Sequence, residues 1–242
     1  MTAAEPRGLE DEPLVLLPGM NCSARLWSGL DLGPVSTPGL TEPDLPSQVD
    51  RLLDELPPRF ALAGLSLGAI VAMAMVRTAP NRVTQLALLS TNPYGPTEQQ
   101  LAGWRRERDR LAAGTTAREI QRDLLPVLLT DDSVWNRPDV VEAALTLAEE
   151  IDLDAQLALQ ATRIDERPGL REIRCPTLVL AAREDRLCPL DRHREISALV
   201  PGAELQILER AAHLSPLEQP AAVTAALRGW LAGPPQPRVS RG

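Results

Sequence analysis

The chain has 242 residues, 44% of them hydrophobic and 24% charged, with a formal net charge of -8. That balance belongs to a globular protein able to bury about three quarters of its unfolded surface, not to a disordered one. The acidic surplus argues against nucleic acid as a partner, because phosphates need a basic footprint. No apolar run reaches the roughly 18 residues of a membrane span. All 25 basic residues are Arg, so lysine chemistry such as Schiff-base formation is excluded. Cys22, Cys175 and Cys188 are too few and too scattered for a disulfide framework or a zinc site. With an acidic N-terminus that lacks a hydrophobic segment, they give the expectation of a cytoplasmic protein.

Short apolar runs alternate with helical patterns, as in parallel strands joined by crossover helices. Leu14 to Leu17 is a continuous apolar run closed by Pro18-Gly19, the pattern of a strand buried on both faces. Val35 to Thr37 is a weaker strand, and Pro46 to Leu56 carries Val49, Leu52, Leu53 and Leu56 on one helical face. Strand Phe60 to Ala63 leads into Gly64-Leu65-Ser66-Leu67-Gly68, a helix from Ala69 to Thr78 and a strand from Val83 to Leu89.

Between Asn92 and Arg171 the strand signal vanishes. Helices are predicted there over Thr97 to Ala113, Thr116 to Leu129, Asp139 to Glu150 and Asp154 to Arg163. The alternation resumes with strand Thr177 to Ala181, helix Leu190 to Leu199, strand Ala203 to Leu208 and helix Leu217 to Leu231. Gly233 to Gly242 reads as a disordered, Pro-rich tail. The expected organisation is an α/β core over 1–93 and 171–242, with a helical cap over 94–170 inserted between the halves.

The Gly64 to Gly68 string follows a strand and opens a helix, which is the context of a nucleophile elbow. Its glycines suit a tight turn in which the middle residue is strained and its neighbours are too close for side chains. Ser66 would project beside a helix N-terminus, but a hydroxyl needs a base to take its proton. The chain offers two histidines. His193, in Asp191-Arg192-His193-Arg194, reads most simply as a surface residue. His213, in the small-residue loop after strand Ala203 to Leu208, is the plausible partner for Ser66.

The acid that holds the base should follow strand Thr177 to Ala181. Asp185 fits best there, with Glu184 the neighbour left open. Oxyanion donors are expected from the backbone N–H groups of Leu67 and Met20, the latter in the turn Pro18-Gly19-Met20-Asn21. The cysteines lack a Cys/His pairing and read as small hydrophobes.

With these pieces, Leu14 to Gly19, Gly64 to Gly68, Cys175 to Leu180 leading to Asp185 and Pro189, and His213-Leu214-Ser215 with Glu218 and Pro220, the chain resembles the α/β-hydrolase superfamily. The C-terminal segments look like small bacterial enol-lactonases and carboxylesterases. The resemblance implies Ser66, Asp185 and His213 as catalytic residues, Met20 and Leu67 as the backbone oxyanion hole, and a cap that sets substrate choice. Pro18 stands where many members have His, and Ala212 where many have Gly. The hairpin that usually starts the sheet has no counterpart, so a mostly parallel sheet of about six strands is expected.

The function expected is a serine hydrolase cleaving a carboxylic ester, thioester or lactone through an acyl-enzyme on Ser66. The same site could instead serve a cyclase, acyltransferase or lyase, or a ligand-binding protein without catalysis. The partner expected is a small, largely apolar acyl substrate, met in the cap by Trp104, Leu124, Leu128 and Trp135. No metal, cofactor, nucleic acid or membrane is called for, and the oligomeric state is left open.

Overall fold

The computed structural model describes residues 12–233. Nearly all of the tail expected to be disordered lies outside the described residues. Six strands, β1 (Leu14–Leu17), β2 (Val35–Ser36), β3 (Phe60–Leu65), β4 (Val83–Leu89), β5 (Thr177–Ala182) and β6 (Glu204–Leu208), form one sheet. All neighbours are parallel, and the order is β2-β1-β3-β4-β5-β6. The central strands are mostly apolar because both faces are covered, with Thr84 and Gln85 the polar exceptions inside β4.

On one face Val15, Leu17, Leu62, Leu86, Leu88 and Val179 pack with helices α1 (Leu45–Glu55), α2 (Leu67–Thr78), α8 (Arg167–Leu170) and α9 (Leu190–Leu199). On the other, Leu14, Leu16, Ala63, Ala87 and Leu180 meet α11 (Pro220–Ala232) and a 3-10 turn at Ala24–Trp27. The alternation of side chains along each strand divides them between these two cores.

Between β4 and β5 run α3 (Glu98–Ala112), α4 (Ala117–Leu128), α5 (Asp131–Asn136), α6 (Pro138–Thr146) and α7 (Leu153–Ala161), followed by α8. Capping boxes start α3 at Thr97 and α4 at Thr116, where each hydroxyl accepts an amide three residues on. The short α5 was not expected, because Asp131-Asp132 reads as a break between helices. Thr130 caps it by accepting the Ser133 amide, and both acids fall in its first turn, where the helix dipole favours them. The expected helix Leu217 to Leu231 is in fact two, α10 (Ser215–Glu218) and α11, divided at Gln219. Among the described residues, no helix is long and apolar enough to cross a membrane.

The strand order sets the site. From β1 the chain moves outward to β2, then returns past β1 to β3 and continues in the opposite direction. Loops at the carboxyl ends of β1 and β3 therefore diverge, leaving the crevice where open α/β sheets bind ligands.

Candidate active site

Ser66 stands at that crevice, directly after β3. Its backbone adopts φ 55° and ψ -113°, a left-handed conformation that costs a non-glycine residue about 1–3 kcal/mol. The surroundings hold it there. The Ser66 amide donates to the Leu89 carbonyl at 2.9 Å, and its carbonyl accepts the amides of Ala69 and Ile70. The Thr91 hydroxyl donates to the same carbonyl at 3.1 Å.

The flanking glycines are needed for space. A methyl at Gly64 would strike the backbone of Gly68, and one at Gly68 would strike the Leu17 carbonyl and sit 2.6 Å from the Pro18 oxygen. The turn thus brings α2 directly against the end of β1.

His213 lies in the loop after β6 and Asp185 in the loop after β5; both are buried. His213 Nδ1 and Asp185 Oδ2 are 2.9 Å apart. The other Asp185 oxygen accepts the amides of Leu187 and Cys188, each at 2.9 Å. An ionised carboxylate only accepts, so the proton in the pair sits on Nδ1, and the lone pair of the neutral ring belongs to Nε2. Burial alone would raise the Asp185 carboxyl, but attraction to the His213 ring in its protonated form, the hydrogen bond from that ring and the Cys188 amide together hold it below the ordinary 3.8. Glu184, the alternative acid, is exposed and does not meet His213.

Glu218 braces the histidine loop: it accepts the Ala212 amide at 2.6 Å, and the Thr130 amide and hydroxyl, both at 2.8 Å.

One cavity of about 140 Å3 joins these parts. Ser66, His213, Gly19 and Met20 line it, with Trp104, Leu124 and Leu128 from the inserted helices. Ser66 Oγ makes no hydrogen bond among the described residues, as is common before substrate binds. Leu67 is the first residue of α2, so its amide opens that helix beside Ser66.

Trp135 is not brought to this cavity. It is 81% exposed on α5, whose inward side is taken by Ser133. The lining is also more polar than its leucines suggested, since Asn92, Gln100, Gln121, Gln160 and Arg163 all reach it. Their only sequence signal is polar residues placed within apolar helical patterns.

His193 is likewise not on the surface, being 0% exposed. On α9 it points inward one turn before buried Ile196, accepts the Thr91 amide on Nε2 at 3.0 Å, and has Nδ1 3.4 Å from the Pro189 carbonyl. The loop after β1 is equally fixed. Buried Asn21, at φ 58°, donates its amide to Gln156 Oε1 and its Nδ2 to Gln121 Oε1 and the Ala117 carbonyl.

Asp185, Cys188 and His213 place donor atoms within 4.8 Å of one another, the spacing of a metal set. Their chemistry fits a metal poorly. The Asp185 oxygens already serve two amides and the imidazole, while burial pushes the Cys188 thiol up to about 12. Burial pushes Cys22 up to about 12 as well, so it stays an inert thiol beside the cavity.

The model of the Alpha/beta hydrolase family matches residues 14–227, from the first residue of β1 into α11. The chain belongs to this family. It is 29% identical over 236 residues to a pimeloyl-[acyl-carrier protein] methyl ester esterase of Aromatoleum aromaticum, covering 86% of this chain and 93% of that protein. Among solved structures, an esterase from Thermogutta terrifontis superposes with a TM-score of 0.79 at 24% identity, over 91% of this chain and 89% of that one. The enol-lactonase of Burkholderia xenovorans gives the same TM-score, 0.79, at 19% identity over 95% and 94% of the two chains. This family member is a hydrolase.

Proposed function

We propose that this enzyme cleaves a carboxylic ester, thioester or lactone by way of an acyl-enzyme on Ser66. The observation that carries the proposal is the buried His213–Asp185 pair, 2.9 Å apart, on the cavity that the strained Ser66 also lines. His213 Nε2 takes the Ser66 proton as Oγ attacks the carbonyl carbon. Asp185 keeps Nδ1 protonated and balances the imidazolium that results. The negative oxygen of the tetrahedral intermediate is received by the amides of Met20 and Leu67. Collapse breaks the bond to the leaving group, which departs with the proton from His213. Water then repeats the sequence on the acyl-enzyme and releases the acid.

The inserted helices act as a cap over the cavity, so that Trp104, Leu124 and Leu128 meet the part of the substrate that does not react. Support for ester chemistry comes from the similar esterases, whose own substrates remain properties of those proteins.

A fluorophosphonate probe tests the nucleophile. It should label the wild type and leave Ser66→Ala unlabelled, while a panel of p-nitrophenyl esters, acyl thioesters and lactones loses turnover in the same variant. Labelling that persists without Ser66 would reassign the nucleophile.

A further inference from the structure

The cavity contains a cation that forms no ion pair among the described residues. Arg163 follows α7, is 6% exposed, and lines the space shared by Ser66 and His213. Its Nη1 donates to Gln160 Oε1 at 3.0 Å and its Nη2 to Gln100 Oε1 at 2.9 Å. Both acceptors are neutral amides. Among the described residues Arg163 forms no ion pair, and no carboxylate side chain lines the cavity. The contrast with Arg77 is direct, since its partner Glu166 is itself buried and lies 2.9 Å away.

A guanidinium carries five N–H donors, and only two are used here. Nε is buried and unpartnered. Trp104 covers one face, with its ring centroid 5.1 Å from the guanidinium carbon. That contact supports the cation without supplying a counter-charge.

An uncompensated charge inside a protein is destabilising until an anion joins it. Gln100 and Gln160 fix the guanidinium without cancelling its charge, which suits a group waiting for a charged ligand. With a net charge of -8, the protein surface does not draw anions, so the selection must be local.

We infer that Arg163 receives a carboxylate of the substrate, and that the ester cleaved at Ser66 carries a second, ionised carboxyl group on its acyl chain. The inference rests on the esterase reading of Ser66 and narrows it to a half-ester of a dicarboxylic acid. It also revises the expectation of a largely apolar substrate.

The test compares monomethyl adipate with methyl hexanoate, which has the same chain length without the charge, each followed by acid release at constant pH. In the wild type kcat/KM should favour monomethyl adipate. Arg163→Gln should lower the ratio of the two values by roughly 30-fold, the effect of removing one partner of a buried charge pair. Arg163→Lys, which keeps the charge but not the fork, should fall between.

Free adipate should bind Ser66→Ala in calorimetry, and roughly tenfold more weakly, or worse, when Arg163→Gln is added. A merely structural Arg163 would leave the ratio unchanged, and that result overturns the inference. So does a wild type that prefers methyl hexanoate, or adipate that fails to bind Ser66→Ala. The wild-type ratio and adipate binding decide the question even if Arg163→Gln does not fold. Failure of the esterase reading looks different: neither ester is cleaved and Ser66 takes no fluorophosphonate, while adipate calorimetry still reports on Arg163.

Discussion

The Ala212 amide donates to Glu218 Oε2 at 2.6 Å, one residue before His213. The other Glu218 oxygen holds the amide and hydroxyl of Thr130, so one buried side chain joins the histidine loop to the start of α5. Glu218→Ala strands two buried amide donors, those of Ala212 and Thr130, and should cost about 3 kcal/mol in a denaturant titration. It should also lower kcat for a small activated ester by up to about 100-fold through misplacement of the imidazole. A variant with normal stability and turnover would remove Glu218 from any role in positioning His213.

The two neighbouring acids should separate cleanly. Asp185→Asn removes the acceptor that keeps the proton on Nδ1 of His213, and kcat should fall by about 1,000- to 10,000-fold. Glu184→Gln, at an exposed side chain, should stay within about twofold of the wild type. Kinetics on one ester substrate settle the order, and the reverse ranking would transfer the acid's role.

His193 predicts a pH dependence of stability. Burial lowers its pKa from the ordinary 6.5, with the Asp185 charge acting in the opposite direction, so the folded state favours the neutral ring. A depressed pKa means that the unfolded chain binds its proton first. Stability is therefore complete above about pH 6.5 and is lost as pH falls from there through the folded value. Chemical denaturation between about pH 7 and 5 should show the decline in the wild type and a shallower one in His193→Gln. The lowered carboxyl of Asp185 acts elsewhere: its contribution is lost only as pH falls below the ordinary 3.8. Equal slopes for wild type and His193→Gln would show that the ring carries no such linkage.

Two glycines should respond differently to alanine. At Gly68 the new methyl collides with the backbone at the end of β1, so α2 must move away from the sheet, at a cost of about 3 kcal/mol or more. At Gly114, where φ is +97° and nothing lies within 4 Å, the cost is conformational only, about 1 kcal/mol. Melting curves of the two variants give the ranking.

The central strands were legible in the sequence because burial on both faces makes them mostly apolar; β4 has the limits its segment predicts although it contains Thr84 and Gln85. The Gly64 to Gly68 turn was legible for a related reason, since its steric needs are local. What could not be read depends on long-range packing. His193 sits among charged neighbours, and only its helical offset from Ile196 hints at an inward face. Nothing near Arg163 in the chain announces that Gln100, more than sixty residues earlier, will hold it against Trp104 in a closed space. The start of α5 was hidden because the same acidic pair that suits a helix N-terminus also resembles a break.

The hydrogen bonds of Asn21 make the turn after β1 and the inserted helices one connected unit. Its amide and side chain reach Gln156 on α7, Gln121 on α4 and the first residue of α4, while the adjacent Met20 lines the cavity. Those helices cannot lift from this corner without pulling the turn after β1 along with them. If, as proposed, the turn supplies an oxyanion donor, these bonds make the position of that donor depend on the inserted helices.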